Sequence, residues 1–383
     1  MGNNVSKGSP SANMRVIAVG DNPALMWGLT ARERLRRIAA THGLELADTA
    51  GEGSFIIVDL AYAFDPAWFR FIVKHPDHVV TRESRPFLAH CTSLEQIDPI
   101  SDAMRANAPL PPLDDVTVFP QEDGELLNPD LRKRERAFAE QLTPQSAHAL
   151  ERTSYFASYK GVTDLLTKYL WPEWALVLTR LAARIGMTPN MVTAIGAALC
   201  VAATILFYHG WYWSGMAVGL GFMVLDTVDG KLARCTITSS WWGNIFDHGI
   251  DLIHPPFWWY AWGIGLATTE HPMNNDVLLA VMIAVVAGYI LQRFIEGIFL
   301  RMFRMHIHVW RPFDSWFRLI TARRNPNMVL LFLSLLIARP DLGLLALAAW
   351  TIISLGVHIV QLIQALHARS KGIAVTSWLE EAA

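Results

Sequence analysis

Cysteine is scarce in this chain. Its 383 residues hold three, Cys91, Cys200 and Cys235, and none stands in a CxxC or Cys/His cluster. That argues against a disulfide framework and a zinc site, and for a reducing compartment around the functional end. Charge is also in short supply, at 17% of residues against 52% hydrophobic. The first dozen residues lack an apolar run, so no cleavable signal peptide is expected, and residues 1–13 read as a disordered N-terminus. Met1–Ser6 fits an N-myristoylation pattern, which six residues often meet by chance. No internal repeat is visible.

What is present is unevenly spread. Up to about residue 185 the composition is that of a soluble protein; beyond it, apolar runs recur near the ~20 residues that cross a bilayer. Residues 14–20 and 55–60 (MRVIAVG, FIIVDL) read as buried strands. Thr30 and Glu33 form a capping box for a helix that stops at Gly43, and Asp65-Pro66 opens another through Lys74. VVT and FLAHC read as a hairpin turning at Arg85-Pro86. The expectation is a small soluble α/β domain over 14–118, with a largely parallel sheet. A linker with a charged helix, LRKRERAFAEQL, follows over 119–154.

The membrane domain is expected over 155–372, with a tail at 373–383. An amphipathic helix over 155–185, with Trp171 and Trp174 among Lys160, Lys168 and Arg180, lies in the interface. Six spans follow, near 190–208, 212–230, 244–267, 276–298, 327–338 and 342–366. The loops at 209–211 and 268–275 hold no Lys or Arg. Lys231, Arg234, Arg301, Arg304, Arg311, Arg318, Arg323, Arg324, Arg369 and Lys371 fall on the other side. The positive-inside rule therefore places both termini and the functional end in the cytoplasm, at the inner or plasma membrane if the source is bacterial.

The chemistry sits in residues 226–251, DTVDGKLARCTITSSWWGNIFDHGID. Asp226 and Asp229 are spaced i, i+3, and Asp247 and Asp251 i, i+4, so each pair shares a helix face. Both pairs fall at the cytoplasmic ends of consecutive spans. Four bare anions there would repel and be hard to desolvate. A hard divalent cation, Mg²⁺ or Mn²⁺, resolves that conflict, and two ions can be accommodated. Such ions bind a diphosphate and neutralise phosphoryl transfer. Gly230, Ala233 and Gly243 lack bulk, so a nucleotide can approach, and Arg234 offers a fork to phosphate oxygens.

Written as D-x2-D-G-x2-A-R-x8-G-x3-D-x3-D, this segment resembles the signature of the CDP-alcohol phosphotransferase family at every fixed position. The resemblance implies a six-span membrane fold, two divalent ions, and displacement of CMP from a CDP-alcohol donor by an acceptor hydroxyl. It makes Asp226, Asp229 and Asp247 metal ligands, and Asp251 a ligand or the general base. Gly230, Ala233 and Arg234 would contact the CDP group. A homodimer in the bilayer is implied, and no nucleic-acid partner is expected. Lys160-x3-Asp164 and Thr188-Pro189-Asn190 look like the family's interfacial helix and first-span entry; Thr188 also suits a plain N-cap.

The acceptor is less determined. Arg293, with Arg301 and Arg304 in the loop after it, can bind a phosphorylated acceptor, although Arg293 and Glu296 can equally pair with each other. The 14–118 region looks like a shortened nucleotidyltransferase domain, but GDNPALMWGLTARERLRR holds Gly20 and Gly28 without the clustered glycines that cradle a triphosphate. It reads as degenerate. Two alternatives stand beside the transferase: a bifunctional enzyme that also forms its CDP-alcohol, and a membrane scaffold or cation transporter.

Overall fold

In a computed structural model, which describes residues 14–49 and 53–381, the chain divides into two units. One holds residues up to 129 with 134–159 and 232–238; the other holds 130–133, 160–231 and 239 onward. The N-terminal stretch 1–13, with its expected disorder and myristoylation pattern, lies outside the described residues.

The first unit is α/β. A six-stranded sheet has its core in Phe55–Asp59, buried along its whole length. Arg15–Val19 pairs parallel to it, and Leu46–Ala47 parallel to Arg15–Val19. On the other side Arg85–Cys91 runs antiparallel to Phe55–Asp59 and to His78–Arg82, which pairs parallel with Thr117–Pro120. The sheet is thus mixed rather than largely parallel, because the hairpin enters its middle. That hairpin turns at Glu83-Ser84, both at positive φ (48° and 65°), and not at Arg85-Pro86.

Local capping chemistry sets the helices. Thr30 accepts from Glu33 N at 3.1 Å, but Glu33's carboxylate goes to Arg36 and Arg37, so only half of the expected capping box forms. Gly43, at φ 72°, ends that helix. Asp65 caps Ala67 N at 2.8 Å ahead of Pro66–Val73. Where a glycine loop would stand, Leu25–Met26 and Leu29–Thr30 make a hairpin through Trp27 and Gly28. Trp27 Nε1 bonds Ser154 Oγ at 2.8 Å. The LRKRERAFAEQL stretch is not helical: Lys133–Glu135 and Ala139–Gln141 are strands, the latter antiparallel to Tyr62–Phe64.

The second unit is helical. From residue 189 on, the six described helices of 13 residues or more are Pro189–Tyr208, Tyr212–Cys235, Trp241–Gly265, Asn275–Phe303, Arg324–Leu336 and Pro340–Ser370, with the short helix Pro312–Phe317 between the fourth and fifth. Among the described residues, the first, fourth and sixth are long and apolar enough to cross a membrane. The fifth starts at Arg324, earlier than residue 327, yet has 13 residues. Thr188 caps the first by accepting from Met191 N at 3.3 Å, with Pro189 at N1. The single interfacial helix expected over 155–185 is broken. Ala147–Ala157 belongs to the first unit, while Leu165–Tyr169 and Pro172–Arg184 lie in the second, interrupted where Trp171 precedes Pro172.

Candidate functional site

Asp226 and Asp229 lie in the last three turns of the second helix, and Asp247 and Asp251 in the first three turns of the third. Ser240, capping Gly243 N at 3.0 Å, starts that third helix and so sets the phase of the latter pair. Oxygen atoms of Asp226, Asp247 and Asp251 all lie within 4.8 Å of one another. Asp229 lines the same small cavity with Thr193, Gly196, Phe222, Asp226, Asp247 and Ile250. Its Oδ2 accepts from Thr193 Oγ1 at 2.6 Å and its Oδ1 from Gly230 N at 2.5 Å. Asp229 is buried, whereas the Asp251 side chain is 45% exposed.

Asp226, Asp247 and Asp251 therefore lie together, Asp229 shares a cavity with the first two, and a further group joins them. Arg324, the first residue of the fifth helix, bridges Asp226 and Asp251 at 2.7 Å each. Its neighbour Asn325 donates to Asp164 Oδ1 at 3.0 Å and Thr167 Oγ1 at 3.1 Å. Asp164 is thus the cap of Leu165–Tyr169 and the anchor of the fifth helix at once.

The small residues divide by context. Gly230 is half-buried beside Asp229, and Ala233 and Arg234 continue the same helix for one more turn. A Cβ on Gly243 would meet Asn190 Oδ1 at 2.9 Å and Ser240 Oγ at 3.0 Å. The absence of a side chain at Gly243 thus has a packing reason in the first and third helices.

Arg293 does pair with Glu296, at 2.8 Å. Arg323 reaches the other oxygen of Glu296 at 2.5 Å, and His308 Nε2 stands 3.2 Å from the first. Glu296, His308 and His358 form a second group with ligand atoms within 4.8 Å, but two guanidiniums on its only carboxylate make it a poor cation site. Arg132 and Arg318 add to the positive field there. Burial and the Arg323 charge push Arg318 down to about 9 and Arg132 down to about 10. Burial and Arg132 hold His306 neutral, at about 4. Arg301 and Arg304 are exposed at the end of the fourth helix. Sequence reasoning missed Arg132, Thr193 and Asn325, and it grouped Arg324 with loop cations; pairing across so many residues leaves no local signal.

Oxygen donors from three carboxylates, with a cation already drawn among them, fit a hard divalent metal.

The family match falls mostly on this unit. Residues 186–360 match the family model described as CDP-alcohol phosphatidyltransferase. Cholinephosphotransferase 1 of Mus musculus is 30% identical over 148 residues, 36% of this chain and 36% of that protein. Phosphatidylinositol phosphate synthase of Streptomyces avermitilis is 33% identical over 134 residues, 32% of this chain and 51% of that one. An uncharacterised class-I family protein of Schizosaccharomyces pombe is 37% identical over 107 residues, 24% of this chain and 28% of that protein. The chain thus spans about a quarter to a half of the length of these relatives. Among solved structures, the phosphatidylinositol phosphate synthase of Mycobacterium tuberculosis with CDP-DAG bound aligns at 18% identity and a TM-score of 0.39. It covers 49% of this chain and 92% of that one.

Proposed function

We propose that the CDP-alcohol phosphatidyltransferase domain at residues 186–360 moves a substituted phosphoryl group from a CDP-alcohol to an acceptor alcohol, releasing CMP. The observation that carries this reading is the clustering of Asp226, Asp247 and Asp251 within 4.8 Å, with Asp229 on a cavity that Asp226 and Asp247 also line. These four carboxylates would hold two Mg²⁺ or Mn²⁺ ions. Such ions, when bound, supply positive charge to the diphosphate as charge shifts toward the departing CMP.

The protein's own residues would do the rest. Asp251 is the most open of the three clustered aspartates and is suited to take the proton of the acceptor hydroxyl. Gly230 and Ala233 leave the helix surface low for the nucleotide, and Arg234 and Gly243 complete that side. For a phosphorylated acceptor, the candidates are Arg293, Arg301 and Arg304. The pairing of Arg293 with Glu296 fixes its side chain but uses part of its donor capacity. The domain sits as six spans in the bilayer with the aspartates and both termini cytoplasmic, as a homodimer. In the 14–118 domain, the Leu25–Thr30 hairpin stands where a triphosphate loop would, which favours a degenerate, non-catalytic domain over a bifunctional enzyme.

The test is CMP release by the purified chain with Mg²⁺. CDP-diacylglycerol, CDP-inositol and CDP-glycerol would each be paired with inositol phosphate, glycerol phosphate and inositol. Release with one pair identifies donor and acceptor together. Silence across the panel, with metal bound, would point first to an untested CDP-alcohol and then to a scaffold or cation transporter.

A further inference from the structure

Arg324 occupies the place that the proposed metal needs. Its Nη1 donates to Asp251 Oδ1 and its Nη2 to Asp226 Oδ2, both at 2.7 Å, while Nε donates to Asn325 Oδ1 at 2.9 Å. Its Cζ lies 4.9 Å from the Phe222 ring centroid, which covers one guanidinium face. The side chain is 11% exposed. An arginine opening a helix faces the positive end of the macrodipole, a disfavoured position unless anions compensate. Asp226 and Asp251 supply those anions, and they are two of the three carboxylates able to reach one ion.

A guanidinium and a divalent ion a few ångströms apart repel strongly where water is largely excluded. The two therefore exclude each other. We infer that Arg324 is an internal counter-cation that keeps the carboxylate cluster closed without metal and is displaced when metal enters. This rests on the metal reading proposed above.

The surroundings make the displacement a side-chain motion. Asn325 is fastened to Asp164 and Thr167, and Arg323 to Glu296. The backbone on both sides of Arg324 is thereby held, and only its long side chain can swing. A released guanidinium would stay beside the cluster with five donors for phosphoryl oxygens. Metal would therefore uncover a phosphate-gripping group in the same step that fills the carboxylates.

The experiment uses the full chain in detergent, stripped with chelator and titrated with Mn²⁺ while free ion is followed by electron paramagnetic resonance. A closed state lowers apparent affinity by the fraction that is open, so Arg324→Gln is expected to bind Mn²⁺ about ten-fold more tightly. Arg324→Lys should fall between. Equal or weaker binding by Arg324→Gln would overturn the switch alone. No binding by either protein would overturn the metal reading and the switch with it. If the glutamine variant does not fold, the unaltered chain decides. Phenylglyoxal modification of Arg324, read by peptide mass spectrometry, should rise several-fold on adding Mn²⁺. An unchanged or falling extent overturns the displacement.

Discussion

Asp226 and Asp229 illustrate how one helix face assigns different work to residues one turn apart. Asp226 meets Arg324, while buried Asp229 is tied to Thr193 and to its own helix through Gly230 N. In Asp226→Asn or Asp229→Asn the shape is kept and one ligand charge is lost. Metal-dependent CMP release should drop by about 10²–10³-fold, the scale for losing one major charge-stabilising contact, while the protein still elutes as a folded species in detergent. Full activity in either variant would remove the metal assignment. Arg293→Ala, by contrast, should raise the KM for a phosphorylated acceptor and leave donor binding unchanged. An unchanged acceptor KM would take Arg293 out of that role.

At the same scale, Asp59 gives the first unit a pH dependence. It ends the fully buried strand, and burial raises its pKa from 3.8 to about 6 despite the hydrogen bond from Ala61 N. The folded state binds the proton more tightly than the unfolded state. Its contribution is therefore fully present below pH 3.8 and is lost as pH rises through about 6. Above that, the buried charge costs roughly 2–3 kcal/mol at about 1.4 kcal/mol per pKa unit. Asp59→Asn, which keeps an acceptor for Ala61, should slow amide exchange in Phe55–Asp59 at pH 7.5 and leave it unchanged at pH 3.5. Equal exchange at both values would count against the burial argument.

Among elements, capping and periodicity were readable, because an N-cap is decided by residues three apart. Thr30, Asp65 and Thr188 all cap as their neighbours predict. What failed depended on partners far along the chain. Residues 133–141 look helical by charge alone, but Ala139–Gln141 finds an edge at Tyr62–Phe64. The sharing of a helix face within each aspartate pair was legible for the same local reason as the caps. Arg324 was not, since it closes on Asp226 from 98 residues away and on Asp251 from 73. Close helix contacts are similarly hidden. A Cβ on Gly288 in the fourth helix would come 2.6 Å from Thr351 Cγ2 in the sixth, whereas one on Gly356 would meet nothing within 4 Å. Gly288→Leu should therefore cost about 1–3 kcal/mol by overpacking, seen as a lower unfolding temperature in detergent. Gly356→Leu should leave it in place, and equal effects would refute this account of the helix contact.

At the scale of the whole molecule, the weak link in a six-span arrangement is the fifth helix. Its 13 residues extend about 20 Å at 1.5 Å per residue, short of a hydrocarbon core of about 30 Å. The loop before the fourth helix carries no Lys or Arg, while the segment after the sixth carries Lys371. If fourth, fifth and sixth helices all cross, three crossings put Glu270 and Lys371 on opposite faces. If the fifth only dips in, two crossings put them on the same face. Cys91, Cys200 and Cys235 are buried, so background labelling is low and single cysteines can report. In intact cells an impermeant maleimide should label Glu270→Cys at once and Lys371→Cys only after permeabilisation. Labelling of both from outside would remove the fifth crossing. The reverse pattern would place the aspartate cluster on the outer face, where cytosolic CDP-alcohols could not reach it.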